Sequence, residues 1–421
     1  MEKVISYVNT NRGNGRKENL KRMYELLERL DNPQDDLSYV HITGTNGKGS
    51  TAALLQAVLK EAGLDVGLFT SPHIEVVNER LRFNGENIAD ADFIRLIDQI
   101  EPVILELEAE LNEKFFAFEL LTAVAFMYFK EKQPDIVLLE AGIGGRLDST
   151  NVIQTAAVSI ITSIGLDHTL TLGDTEEEVM QEKVGILKEK GHLIVGPIRE
   201  SLKEIAVRQA EKTSGTLTFL NDTNISIIKS NEKGQVFDYK EWENVKLSLL
   251  GKHQIENACL VLEACLELRV QGYSIPTEAI YKGLAEAYWP GRFEKAFDEP
   301  LYYMDGAHNV ASVERLVETL EEIFPERKFH FVIGMMEDKE YEKMIQLVAP
   351  LAQEFIFISP DPSRGFDAEN VAAIYRAQGF LATAKANIKE VLTYVEEIPK
   401  DELVIQFGSL YLVGEMKEIL E

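Results

Sequence analysis

The sequence predicts an α/β protein: a large N-terminal domain built on a parallel sheet, followed by a smaller, doubly wound, Rossmann-like domain. Three observations lead there. The run Ile136-Val137-Leu138-Leu139 is apolar on both faces, as a strand inside a parallel sheet must be. The run Tyr39-Val40-His41-Ile42 ends in a glycine-rich turn that opens an apolar helix. After Asp298-Glu299-Pro300, short β-branched and aromatic runs alternate with helical periodicity a second time. The expected division is therefore 1–297 and 298–421, with Asp298-Glu299-Pro300 as the linker.

In chain order, Asn9 to Lys17 is polar and glycine-bearing and reads as a loop. Leu20, Met23, Leu26, Leu27 and Leu30 then form one apolar face of a first helix. Val40 and Ile42 give the next strand its β-branched character, and Gly44, Gly47 and Gly49 the turn after it. Ala52, Leu54, Leu55, Val58 and Leu59 recur at helical spacing, and Gly63 closes that helix. A strand at Val66 to Phe69 is followed by Ser71 to Gly85, which reads as irregular, and by a helix capped at Asp90. The strand Ile136 to Glu140 ends in a carboxylate before Ala141-Gly142-Ile143-Gly144-Gly145-Arg146, and the strand Ala157 to Ile161 leads to Leu166-Asp167-His168. Thr175 with Glu178 is a capping box for a helix carrying Glu182 and Lys183. Helices are expected at His253 to Leu268 and Thr277 to Tyr288. Strands near Tyr302 to Met304, His330 to Ile333, Phe355 to Ile358 and Leu403 to Phe407 build the second sheet.

The 421 residues suffice for two ordinary domains. A formal charge of -27 disfavours nucleic acid and anionic membrane as partners. Glu2, Lys3 and Asn9 interrupt any signal peptide, and no run reaches transmembrane length. Cys259 and Cys265 fall on different faces of one helix, so a disulfide is not expected and a reducing cytoplasm fits. The protein reads as a cytoplasmic monomer acting on small molecules.

The chemistry centres on Gly44-Thr45-Asn46-Gly47-Lys48-Gly49-Ser50-Thr51. Backbone N–H groups at a helix start, a lysine and two hydroxyls suit phosphate oxygens and Mg²⁺, as in a P-loop-type ATPase. The common loop has Gly, four residues, Gly-Lys, then Ser or Thr; here Gly44 precedes Gly47 by three positions, and Gly49 intervenes between Lys48 and Ser50. Ser50, Ser71, Glu140 and His168 stand at the ends of separate elements. Spacing alone leaves two readings open for them, a metal site or a set of caps and buried hydrogen bonders.

The string His41 to Thr51 resembles the ATP-binding loop of the folylpolyglutamate synthase and dihydrofolate synthase family, in the Mur ligase superfamily. Further motifs match in order. Thr70-Ser71-Pro72-His73, Glu140 to Arg146 and Leu166-Asp167-His168-Thr169 resemble the family's Mg-ATP motifs. The resemblance implies Ser50, Ser71, Glu140 and His168 as metal ligands. Glu182-Lys183-Val184-Gly185-Ile186 is similar to the string whose lysine becomes a carbamate, so a carbamylated Lys183 is implied, holding a second Mg²⁺. Gln254 and Asn257, in Gly251 to Ala258, match a segment that meets ATP. Arg292, in Pro290-Gly291-Arg292-Phe293-Glu294, and Asp305 and His308, in Asp305-Gly306-Ala307-His308-Asn309, match motifs that reach the nucleotide from the second domain.

By the same resemblance, the region 1–297 is a Mur ligase central-type domain and 298–421 a ligase domain. The activity implied is ATP-dependent addition of L-glutamate to a folate through an acyl phosphate, on tetrahydrofolate, dihydropteroate or both. Lys48, Lys183, Arg292 and His308 are its implied catalytic residues. His73, Arg80 and Phe83 are expected to hold the acceptor, with Phe115 to Leu121 as the other candidate segment. Two departures stand out. Ser359-Pro360-Asp361-Pro362-Ser363-Arg364 replaces a Pro-Arg pair, and Asn11 to Arg16 lacks the usual hydrophobic flavour. A peptidoglycan ligase would carry a whole domain before the loop, but only about forty residues precede Gly44. A phosphate-loop kinase would leave the phosphoryl group on its product.

Overall fold

The computed structural model describes residues 19–337, 339–361 and 364–420. The expectations for Glu2, Lys3, Asn9 to Lys17 and Ser363 lie outside them. The chain forms two units. One comprises Met1–Ser226, Asp238–Lys246 and Glu256–Ala287; the other comprises Ile227–Phe237, Leu247–Ile255 and Tyr288–Glu421.

In the first unit, strands β1 (Tyr39–Thr43), β2 (Val66–Phe69), β3 (Leu81–Phe83), β4 (Glu86–Asn87), β5 (Ile136–Glu140), β6 (Val158–Ile161), β7 (His192–Val195) and β8 (Thr216–Phe219) form one sheet in the order β4-β3-β2-β5-β1-β6-β7-β8. From β2 to β8 every pairing is parallel. Every residue of β1, β2, β5 and β6 is buried, which explains the apolar run of β5 and the predominance of apolar residues in the others. Helices Lys21–Arg29, Asp90–Leu111 and Ala117–Lys132 cover one side through Met23, Leu26, Phe93, Ile97 and Phe126.

The segment Ser71 to Gly85 is more ordered than its composition suggested. Val77–Arg80 is a 3-10 helix, and β3 and β4 form a hairpin on the sheet's edge. Asn84 and Gly85 turn it with φ of 52° and 84°. An Asn-Gly pair flanked by alternating residues is the strongest short-range hairpin signal, so the motif was readable.

The second unit contains a six-stranded sheet ordered β12-β13-β17-β14-β15-β16, with β12 Glu294–Asp298, β13 Leu301–Met304, β14 Phe329–Ile333, β15 Ala352–Ile358, β16 Ala382–Lys385 and β17 Leu403–Phe407. Pairing is parallel from β13 to β16 and antiparallel at β12. Asp298-Glu299-Pro300 is thus the turn of a hairpin and not a linker, and the boundary expected at 297/298 falls inside that hairpin. Turn chemistry serves a hairpin and a linker alike, and composition does not separate them. A further sheet, ordered β11-β10-β9, is built by β9 Ile225–Asn231, β10 Gly234–Tyr239 and β11 Trp242–Leu247.

Among the described residues, no helix is long and apolar enough to cross a membrane. Cys259 and Cys265 are both buried and free.

Candidate active site

The glycine-rich turn leaves β1 in the middle of the first sheet and enters the helix Lys48–Glu61. Gly47 precedes that helix with φ of 85°, and a Cβ there would stand 2.6 Å from Asn257 Oδ1. A Cβ on Gly44 would stand 1.8 Å from Thr162 Oγ1. The turn is laced to the segment after β6. Asn46 N donates to Ser163 Oγ at 3.0 Å, Thr162 Oγ1 to the Asn46 carbonyl at 2.6 Å, and Thr45 Oγ1 to the Gly165 carbonyl at 2.9 Å. Lys48 Nζ donates to the carbonyls of Gly44 (3.0 Å) and Thr45 (3.3 Å). Ser50 and Thr51 are buried in the first turn, and Thr51 Oγ1 lies 3.3 Å from Asn257 Oδ1. A helix start held this rigidly, with a lysine folded against it, is a preorganised anion cradle.

β1 lies between β5 and β6, and β2 lies beyond β5. The segments leaving β2, β5 and β6 wall a cavity of about 460 Å³ that includes Ser71, Gly142, Ile143, Asp148 and His168. Ser71 N donates to Glu140 Oε2 at 3.0 Å, which sets those two residues side by side. Asp148 accepts from Ile143 N at 3.0 Å and from Thr150 N at 3.0 Å.

Lys183 ends the helix Glu176–Lys183 and is 2% exposed. The capping box expected for that helix is present, with Thr175 Oγ1 accepting from Glu178 N at 3.2 Å. Burial, reinforced by the charge of Lys48 and opposed by Asp148 and Asp167, pushes the Lys183 amine well below the ordinary lysine value. Among the described residues no three His, Cys, Asp or Glu side chains converge as a metal group. The expected set draws only Glu140 and His168 from those types. Hydroxyls and a carboxylate suit Mg²⁺, whereas an amine suits it only after conversion to an oxygen donor.

The residues expected to hold the acceptor are divided. Arg80 lines the cavity, and its Nε donates to His73 Nδ1 at 2.8 Å. Burial, then the charge of Arg80, lowers the His73 imidazole to about 4, so it stays neutral and accepts. Glu79 holds the same loop by accepting from the backbone N of Ile74 (2.9 Å), Glu75 (2.8 Å) and Val76 (2.7 Å). Phe83 does not line the cavity. It lies on β3 and packs against the sheet's core, because alternation along a strand sends Arg82 and Phe83 to opposite faces. The aromatic wall comes from Phe116 and Phe118, within the alternative segment Phe115 to Leu121. Asp148 and Leu172 also line the cavity and were not anticipated. The polar string Asp148-Ser149-Thr150-Asn151, a 3-10 turn capped by Asp148, was the available signal for Asp148.

In the second unit, the two expected motifs are tied together. Gly306 N donates to the Gly291 carbonyl at 2.8 Å, and a Cβ on Gly306 would stand 2.4 Å from the Arg292 guanidinium. Asp305 accepts from Phe293 N and Ala307 N, both at 2.8 Å. Burial raises its carboxyl, against the opposing charge of Arg292. His308 Nδ1 donates to the Gly306 carbonyl at 2.7 Å, and Asn309 caps the helix Val310–Ile323. Gln254 and His308 belong to the second unit, Asn257 to the first.

The Mur ligase middle domain matches residues 42–265, and the Mur ligase glutamate ligase domain matches residues 291–410. The dihydrofolate synthase/folylpolyglutamate synthase of Bacillus subtilis is 35% identical over 418 residues, covering 97% of this chain and 96% of its own. The chain belongs to the folylpolyglutamate synthase/dihydrofolate synthase family. Among solved structures, the folylpolyglutamate synthase of Thermotoga maritima superposes with a TM-score of 0.87 at 32% identity, covering 100% of this chain and 96% of that one. A solved FPGS–AMPPCP–folate complex reaches 0.86 at 28% identity, covering 100% of this chain and 99% of its own. As a folylpolyglutamate synthase/dihydrofolate synthase family member, this chain is an ATP-dependent ligase of the Mur type.

Proposed function

We infer that this protein joins L-glutamate to the carboxylate of a folate, in the cytoplasm and as a monomer. The observation that carries this reading is the apolar, aromatic-walled cavity at the carboxyl ends of β2, β5 and β6, flanking the phosphate cradle on β1. A flat heteroaromatic acceptor suits such walls, and Arg80 and Asp148 supply polar contacts at its edge. Lys48, with the N–H groups from Gly44 to Thr51, holds the nucleotide phosphates. Further residues proposed to contact the nucleotide are Arg292, Asp305, His308 and Gln254, of the second unit, and Asn257, of the first.

The acceptor carboxylate oxygen attacks the γ-phosphorus, and ADP departs with the P–O bonding pair. The glutamate amine then attacks the acyl carbon, phosphate leaves, and the amine gives up a proton. Phosphorylation is needed because a carboxylate is a poor electrophile. The protein contributes alignment and charge neutralisation, not a covalent nucleophile.

We propose Ser50, Ser71, Glu140 and His168 as the Mg²⁺ ligands. Bound Mg²⁺ would neutralise charge on the transferring phosphoryl group. Lys183 is proposed to be carbamylated. Burial and the charge of Lys48 favour its neutral amine, which is the form that attacks CO₂, and the resulting anion turns its repulsion with Lys48 into attraction.

The test is an acceptor panel. With ATP and labelled glutamate, dihydropteroate or a reduced folate should yield an amide with equal amounts of ADP and phosphate. A phosphorylated product that persists when glutamate is present, or no glutamate incorporation with either acceptor, would overturn the reading.

A further inference from the structure

The aromatic wall of the cavity is held from behind by a residue outside the cavity. Residues 112–116 join the helices Asp90–Leu111 and Ala117–Lys132, and this join carries Phe116. Arg22, on the helix Lys21–Arg29, reaches it. The guanidinium carbon lies 4.8 Å from the centroid of the Phe116 ring and 6.0 Å from that of Phe115. One terminal nitrogen donates to the Lys114 carbonyl at 3.1 Å and to Glu113 at 3.0 Å, and the other to Glu119 Oε1 at 3.2 Å. Glu119, 1% exposed, in turn accepts from Phe116 N at 2.8 Å. One side chain therefore grips the ring, the backbone before it and the carboxylate that fixes the backbone amide.

We propose that Arg22 is a positioning residue for the acceptor, setting the Phe116 ring in the orientation that walls the cavity. This rests on the reading that the acceptor occupies that cavity. A ring fixed before binding spares the acceptor the ordering of its own wall. The planar guanidinium does this by stacking and by its fork of donors, neither of which an ammonium supplies. Without Arg22, the buried Glu119 carboxylate loses this ion pair, and the acceptor of the Phe116 amide loses one of its anchors.

The experiment compares Arg22→Ala, Arg22→Lys and Phe118→Ala in the full chain, with active enzyme quantified by ATP binding. Arg22→Ala should raise the acceptor KM roughly tenfold while the KM for ATP and kcat stay within about twofold. Arg22→Lys should recover only part of the loss. Loss of folded protein alone would lower the apparent kcat and leave both KM values in place. Should Arg22→Ala fail to fold, Arg22→Gln, which keeps a donor but puts no cation on the ring, should show the same split. An unchanged acceptor KM in the folded Arg22 variants, with Phe118→Ala raising it, would overturn the positioning role alone. An unchanged acceptor KM in Phe118→Ala as well would overturn the cavity reading with it. Equal increases in both KM values would also refute the proposal, because they mark a general effect.

Discussion

Among the described residues, Lys183 has surroundings that favour a chemical change. It is buried beside Lys48, an arrangement unfavourable for two ammonium groups and favourable once one becomes an anion. Intact-mass measurement of wild type kept in bicarbonate should show the gain of one CO₂, absent from Lys183→Ala, and that variant should lose roughly a hundredfold or more in kcat. Full turnover by Lys183→Ala would remove the carbamate from the mechanism. Lys48, Glu140 and Arg292 stand out in the sequence because each sits in a short glycine-bearing string. Phe116 and Phe118 were less legible. Their place in the wall depends on how two helices join, and Phe83 looked equally suitable until its strand turned it toward the core.

At the scale of elements, the cradle depends on the conformation of one residue. Gly47 has a positive φ and leaves space that Asn257 fills. Gly47→Ala should cost about 1–2 kcal/mol of backbone strain, plus whatever displacement Asn257 undergoes. The expected readouts are a lower Tm and a raised KM for ATP, with the acceptor KM less affected. An ATP KM equal to wild type would show that the turn is not held as described. The strand–turn–helix around Gly47 was legible because β-branched residues, glycines and helical periodicity all agree there. The β3–β4 hairpin carried an equally clear Asn-Gly signal, masked by the polar residues around it. β7, β8 and β16 are short, and β8 and β16 are only partly buried, so a pattern of hydrophobicity alone does not pick them out.

At the scale of the whole molecule, stability should carry a pH signature from the second unit. His330 on β14 bonds Glu354 on β15 at 3.0 Å and Glu402 before β17, and Tyr394 donates to Glu354 at 2.6 Å. Burial alone would lower the imidazole, but its two carboxylate partners carry it above 6.5. Burial alone would raise Glu354, but His330 and Tyr394 hold it below 4.5. A raised imidazole stabilises fully below its unfolded value and loses that contribution as pH rises through its folded value. A lowered carboxyl stabilises above its unfolded value and loses that contribution as pH falls through its folded value. The difference in Tm between wild type and His330→Gln should therefore be greatest between 4.5 and 6.5 and shrink toward alkaline pH. A difference independent of pH would contradict this.

The division into units was only partly readable, because the second unit also takes in Ile227–Phe237 and Leu247–Ile255, far ahead of the run from Tyr288 to Glu421. Contiguous composition cannot reveal a unit assembled from separated stretches. That interleaving has a consequence for biosynthesis. The ribosome makes Ile227–Phe237 and Leu247–Ile255 well before most of their packing partners exist. These stretches must therefore wait through the synthesis of Glu256–Ala287 and much of the run from Tyr288 to Glu421. At about 5–20 residues per second this wait lasts several seconds or more. During it, β9 is nascent chain whose unit is still incomplete.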